Sequence, residues 1–290
     1  MAFILNLENP FQELELQTER LFQMETEYMA APNFFQNGDN ILRGAVRRII
    51  QRNSETPGLV HDRAVPFLAL NYYDRVISRY RVQEPGFFCL FVIGCTTLAW
   101  KMRTNGFSVQ QFLAARQPTF IGADDLEVRV EVRHIERAEF AILSALNWRT
   151  RSITPVCFMN FFMSLLGIED PQQRQTLKRR VLGHQILYMH SDIRFTRFRP
   201  SIIALVGIMA ERQEDRQDDF WNPVRVCEFV NLEEMENCLN LLDIVRAEDI
   251  LDAAVAPQIA APPQVPQIAA PPQAPQNDGP LQPRTPPQQE

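Results

Sequence analysis

The sequence predicts an all-α protein built from two successive helical bundles, and three observations carry that expectation. Apolar residues recur at a period near 3.6 up to a proline-rich tail, and no segment shows the sustained period-two alternation of a strand. Two runs, Phe67 to Val76 and Phe87 to Met102, are apolar around almost the whole helical circumference, as expected of helices enclosed by others. A third, Phe198 to Met209, lies near the middle of the second half, so each half has an all-round apolar helix near its middle.

In chain order, Pro10 to Met29 sets Phe11, Leu14, Leu21, Phe22 and Met24 among Glu and Gln, an amphipathic helix with proline near its start. Gly38-Asp39-Asn40 offers a capped start for Ile41 to Gln51, where Leu42, Ala45, Val46, Ile49 and Ile50 make one apolar stripe, and Thr56-Pro57-Gly58 ends it. The helix from about Arg63 to Tyr80 follows, its apolar cover interrupted in the run from Phe67 to Val76 only by Asn71, Asp74 and Arg75. After Glu84-Pro85-Gly86 comes a continuous apolar stretch of about 14 residues, too short to span a bilayer and suited to a central core helix. Lys101 closes that stretch: an ammonium suits the dipole at a helix C-terminus, and its long stem can carry the charge to a surface.

Arg103 to Asp125 holds Gly, Pro and Asn without clean periodicity and reads as loop or short helix. Glu127 to Asn147 returns to helix, with Ile135, Ile142, Leu143 and Leu146 on one face and Glu139 on the same stripe. A carboxylate there is either paired inside the fold or marks where the stripe continues onto a partner's surface. The second set opens at Ile153 with Thr154 as N-cap and Pro155 at the first helical position. Helices from Gln172 to Met189, Phe198 to Met209, Pro223 to Phe229 and Leu232 to Arg246 complete it.

The tail from Ala253 to Glu290 holds 11 of the 21 prolines and a nine-residue repeat, Pro257-Gln-Ile-Ala-Ala-Pro-Pro-Gln-Val265 followed by Pro266-Gln-Ile-Ala-Ala-Pro-Pro-Gln-Ala274. Such a Pro/Gln/Ala-rich segment buries no core and is expected to be disordered with polyproline II character. The net charge of -6 argues against a general nucleic-acid surface. Basic residues are almost all arginine, with only Lys101 and Lys178 as lysines. Five cysteines, Cys89, Cys95, Cys157, Cys227 and Cys238, form no CxxC pair, and the four histidines show no ligand spacing. They read as buried thiols in a reducing compartment, with no metal and no cofactor. The first residues lack the basic and long apolar regions of a secretory signal, so the chain is expected inside the cell and off the membrane. There is no GxSxG, phosphate loop or nucleophile–base grouping, so no catalytic residue is assigned.

Several motifs then meet a known family. Asn71-Tyr72-Tyr73-Asp74-Arg75 is similar to the Asn-Tyr-x-Asp-Arg of cyclin boxes, Leu98-Ala99-Trp100-Lys101-Met102 to Leu-Ala-x-Lys-Met, and Ile142-Leu143-Ser144-Ala145-Leu146-Asn147-Trp148-Arg149 to Val-Leu-Ser-Thr-Leu-Lys-Trp-Arg. Ile153-Thr154-Pro155, Phe198-Arg199-Pro200-Ser201-Ile202 and Cys238-Leu239-Asn240-Leu241-Leu242 continue the match, and from about Pro10 to Arg246 the chain resembles a plant D-type cyclin. The resemblance implies an N-terminal extension over 1–9, an N-terminal cyclin box over 10–150, a C-terminal cyclin fold over 151–250 and a tail over 251–290. It implies a non-catalytic subunit, nuclear and cytoplasmic, that binds and activates a cyclin-dependent kinase to promote cell-cycle entry at G1/S. Lys101 and Glu139 occupy the positions that grip the kinase, and Arg43 and Asp74 those of a structural ion pair. Leu42, Ala45, Val46 and Ile49 match a substrate-docking groove, here without its tryptophan; Thr285-Pro286 is a minimal proline-directed phosphorylation site.

Kinase inhibitor proteins and the retinoblastoma-related protein are further partners of the family. The Leu-x-Cys-x-Glu motif for the latter is absent, as in a divergent subgroup, since no cysteine precedes Cys89. Two more departures stand out. Arg103 and Thr104 replace the usual two glutamates after Lys-Met, and the segment from Lys101 to Glu139 is long for the family. They leave room for a cyclin-fold scaffold that binds without activating. The basal transcription factors that share the fold bring a zinc ribbon and basic faces, and this sequence has neither.

Overall fold

The computed structural model describes residues 15–37, 40–55, 62–80, 85–121, 127–212 and 218–255. Residues 1–9, the proline-rich repeat and Thr285 lie outside them, as does the capped start expected at Gly38-Asp39. The first helices are α1 (Glu15–Met24), α2 (Asn40–Ser54), α3 (Val65–Ile77), α4 (Pro85–Arg103) and α5 (Val109–Arg116). Strands β1 (Thr119–Ile121) and β2 (Glu127–Arg129) follow, then α6 (Val132–Ala145). The second set comprises α7 (Met159–Leu165), α8 (Pro171–Arg180), α9 (Pro200–Glu211), the short α10 (Asn222–Arg225) and α11 (Leu232–Val255). The described residues up to Arg246 form one compact unit, and those from Ala247 a second, represented by the end of α11.

Helix α4 is central to the first set because its sequence leaves it no polar face: every residue from Leu90 to Trp100 is buried. It packs against α2, α3 and α6 around Val46, Ile50, Tyr72, Phe91, Trp100 and Ile142. A second apolar cluster, with Leu90, Ile93, Phe112 and Ile135, lies toward α5 and β2. Helix α9 plays the same part in the other set, buried from Pro200 to Ile208. The core around it also takes in Phe22 and Tyr28 from the N-terminal helical segment. Phe22 stacks on Phe229 at 4.7 Å between ring centroids, and Glu25, fully buried, accepts 2.8 Å hydrogen bonds from the backbone N–H and Oγ–H of Ser201. Glu25 thereby caps the first turn of α9 from 176 residues away, where free N–H groups and the dipole favour an acceptor.

Three local features differ from the sequence expectations. An antiparallel pairing of Phe120 with Val128 forms where loop and the start of a helix were expected. Val128-Arg129-Val130-Glu131-Val132 does alternate, but the paired part is too short to outweigh the helical pattern beyond it. Helix α6 therefore begins at Val132, after Glu131, whose N–H donates to Nδ1 of His134 at 3.1 Å. After α8 the chain widens into a π turn over Val181–Ile186 before closing as α-helix at Leu187–Met189. And α10 is a single turn, while α11 runs on past Arg246 to Val255.

Candidate partner-binding site

The structure brings Lys101 and Glu139 together through a close approach of two helices. Gly94 permits it: a Cβ there would lie 3.0 Å from both Ala138 Cβ and Ile142 Cδ1, so α4 and α6 meet nearly backbone to side chain. Glu139 is thereby held against α4, where Thr97 Oγ–H donates to its Oε1 at 2.8 Å and Lys101 Nζ to its Oε2 at 2.5 Å. The carboxylate is buried, while the ammonium side chain is 35% exposed at the helix end. Both carboxylate oxygens are occupied, and an ammonium has three donors. Lys101 can therefore bond to Glu139 and still offer N–H groups outward.

Large apolar side chains are also exposed on the two helices that carry this pair and just beyond α6. Met102 follows Lys101 and is exposed; Phe140 follows Glu139 and is 63% exposed. Phe140 meets Trp148, also 63% exposed, edge to face at 6.3 Å. Asn147 and Trp148 both take left-handed backbone, with φ of 51° and 61°, and Trp148 N–H closes the helix on the Leu143 carbonyl at 2.8 Å. Left-handed backbone costs a non-glycine residue roughly 1 kcal/mol, and here it serves to present an indole to solvent. Sequence reasoning missed Gly94, Thr97, Phe140 and Trp148. Phe140 did carry a signal, because it falls off the apolar stripe of its own helix.

The Asn71–Arg75 motif lies inside the fold, its polar residues tied to the segment after α1, to α2 and to the segment after α6. Asn71 Nδ2 donates to the Tyr28 carbonyl at 2.7 Å, and Tyr72 Oη to the Thr150 carbonyl at 2.5 Å. Asp74 accepts both ends of the Arg43 guanidinium, with Nη2 to Oδ2 at 2.9 Å, joining α2 to α3. Arg75 donates to the Arg149 carbonyl at 2.9 Å and to Ser152 Oγ at 2.8 Å, so it holds the segment linking the two helical sets. Its guanidinium and that of Arg149 lie 5.2 and 5.0 Å from the Tyr28 ring centre. Burial pulls Arg75 down to about 10.

Of the four groove positions, Leu42 is exposed, Ala45 and Ile49 are half-buried, and Val46 is fully buried in the core with Ile50. Arg103, one of the two departures after Lys-Met, pairs with Asp62 at 2.7 Å. Among the described residues no cluster of His, Cys, Asp and Glu is arranged to hold a metal, and no helix is long and apolar enough to cross a membrane.

Two successive five-helix sets, each built on a buried central helix, define a cyclin-type architecture. A viral cyclin from herpesvirus saimiri superposes with a TM-score of 0.60 at 14% identity, covering 78% of this chain and 96% of that one. No family model matches the sequence. It is 30% identical to cyclin-D6-1 of Arabidopsis thaliana over 75% of this chain and 72% of that protein. It is 31% identical to rice cyclin-D6-1 over 62% of this chain, and 28% identical to rice cyclin-D2-2 over 61%, spanning about half the length of each (55% and 48%). The chain belongs to the plant D-type cyclins.

Proposed function

We propose that the chain is a regulatory subunit that binds a cyclin-dependent kinase and activates it to promote G1/S progression, working in the nucleus and cytoplasm, with catalysis belonging to the kinase. The observation that carries the reading is the Lys101–Glu139 pair, fixed by Thr97, on helices that also expose Met102 and Phe140. A half-exposed cation with a buried carboxylate behind it suits the polar end of an amphipathic helix on a partner. Phe140 and Trp148 would supply the apolar anchors.

The test is co-purification with a cyclin-dependent kinase and stimulated phosphorylation of a histone or retinoblastoma-type substrate. Exchanging Lys101 and Glu139 together for alanine is expected to abolish both, and unchanged stimulation would refute the site. A second reading, a scaffold that binds the kinase without activating it, draws on Arg103. Where relatives carry a glutamate, this residue is turned inward onto Asp62 and offers no acid to a partner. Binding without stimulation in the same assay selects that reading. Kinase inhibitor proteins would bind the assembled complex, while direct docking of the retinoblastoma-related protein lacks its motif.

A further inference from the structure

We propose that the cleft between the end of α2, the start of α3 and the π turn after α8 is a docking groove for a dipolar peptide. Its occupant is an extended segment with a bulky apolar side chain flanked by a basic residue on one side and an acidic residue on the other. The cleft has a volume of about 240 Å³, and its floor is apolar, from Pro66, Phe67, Leu182 and Leu187. Its rim carries Arg63 and Glu55. These two opposite charges share one cleft and do not pair with each other. Arg63 spends a single N–H on the Arg179 carbonyl at 3.2 Å and meets no carboxylate among the described residues. Glu55 lends only its backbone carbonyl, to Arg116, and its carboxylate has no cation among the described residues.

Each rim charge is thus left to a partner, and a segment carrying both signs satisfies both at once. Gln51 supplies a third point of recognition. Arg47 donates to its Oε1 at 2.9 Å, which orients the amide and leaves its NH₂ for a peptide carbonyl. The π turn contributes the far wall, and such widened turns recur at functional positions because they displace the helix surface locally. Gly183 lies on that wall, 3.5 Å from Arg63 Nη1 when measured from the position a Cβ would take, so the wall reaches the charged rim in ordinary contact. The groove shares no residue with the Lys101–Glu139 site, so it stands or falls separately from the kinase reading.

The experiment is fluorescence anisotropy of the full chain with a fluorescein-labelled Ala-Lys-Ala-Phe-Ala-Glu-Ala peptide and its twin with Lys and Glu exchanged. Saturable binding is expected, with one twin favoured at least ~fivefold, the effect of a well-placed rim charge pair. Arg63→Gln and Glu55→Gln should each weaken that twin several-fold and abolish the preference. The double exchange Arg63→Glu with Glu55→Arg should reverse it, with circular dichroism confirming that the exposed-rim variants remain folded. No saturable binding of either twin, equal binding of both, or affinity unchanged by the single variants would overturn the proposal.

Discussion

Charged residues in this protein divide by how much water they keep, and that division predicts what each substitution does. Lys101 is over a third exposed, so its pair with Glu139 adds at most about 1 kcal/mol to folding. Lys101→Ala should then lower the urea midpoint only slightly, since Thr97 still bonds the buried Glu139 carboxylate, while kinase stimulation falls at least ~tenfold, the effect of losing a desolvated contact at an interface. Stability and stimulation falling together would mean the lysine is structural. Arg43 and Asp74 are the opposite case, both buried. Asp74→Ala leaves a guanidinium without its counter-charge and should cost roughly 3–5 kcal/mol in chemical denaturation. A loss under 1 kcal/mol would show that water replaces the carboxylate. Lys101 and Glu139 stood out in the sequence because each interrupts an apolar pattern, Lys101 at the end of the Leu98–Met102 motif and Glu139 within the stripe of its helix. Thr97 was not, since a threonine inside an apolar run becomes a hydrogen-bond donor to Glu139 only once a neighbouring helix comes within reach.

Helix α6 owes its place to a missing side chain. Gly94→Ala would force a methyl to 3.0 Å from Ala138 and Ile142, so α6 must shift or the core must strain, at about 1–3 kcal/mol. The shift also draws Glu139 away from Thr97 and Lys101. Reduced kinase stimulation should therefore accompany a lowered melting temperature, and a variant that loses only stability would separate helix spacing from the site. Periodicity found the longer helices, because ten or more residues of apolar stripe accumulate a clear signal, whereas the eight-residue α5 fell in a stretch read as loop or short helix. Periodicity found neither β1 and β2 nor the π turn. Three paired residues are too few to establish a period, and one widened turn within a helix leaves the spacing of apolar residues on either side intact.

At the scale of the molecule, α1 precedes the first helical set in sequence yet packs on the second, which no local pattern encodes, and the seal of that packing is Glu25. Burial pushes its carboxyl up to about 7, against the hydrogen bonds from Ser201 and the nearby Arg199, which pull the other way. The folded state therefore holds this proton more tightly than the unfolded chain. Glu25's contribution to stability is full below about pH 4.5 and is lost as pH rises through about 7, by as much as roughly 3 kcal/mol. His190 acts with the opposite sign. Half-buried, edge to face with Phe67 and near Arg43, it is held down to about 4 by its loss of water, so the unfolded chain takes up its proton first and stability rises with pH toward the ordinary histidine range. The wild-type curve is thus a sum of opposed slopes, and a difference measurement isolates one of them. Between pH 5 and 8 the urea midpoint of the wild type should fall relative to that of Glu25→Gln, whose amide accepts from Ser201 without titrating. Parallel curves would mean that Glu25 stays ionised in the fold, and that the cap on α9 is a full charge held in place by Arg199 and Ser201 together.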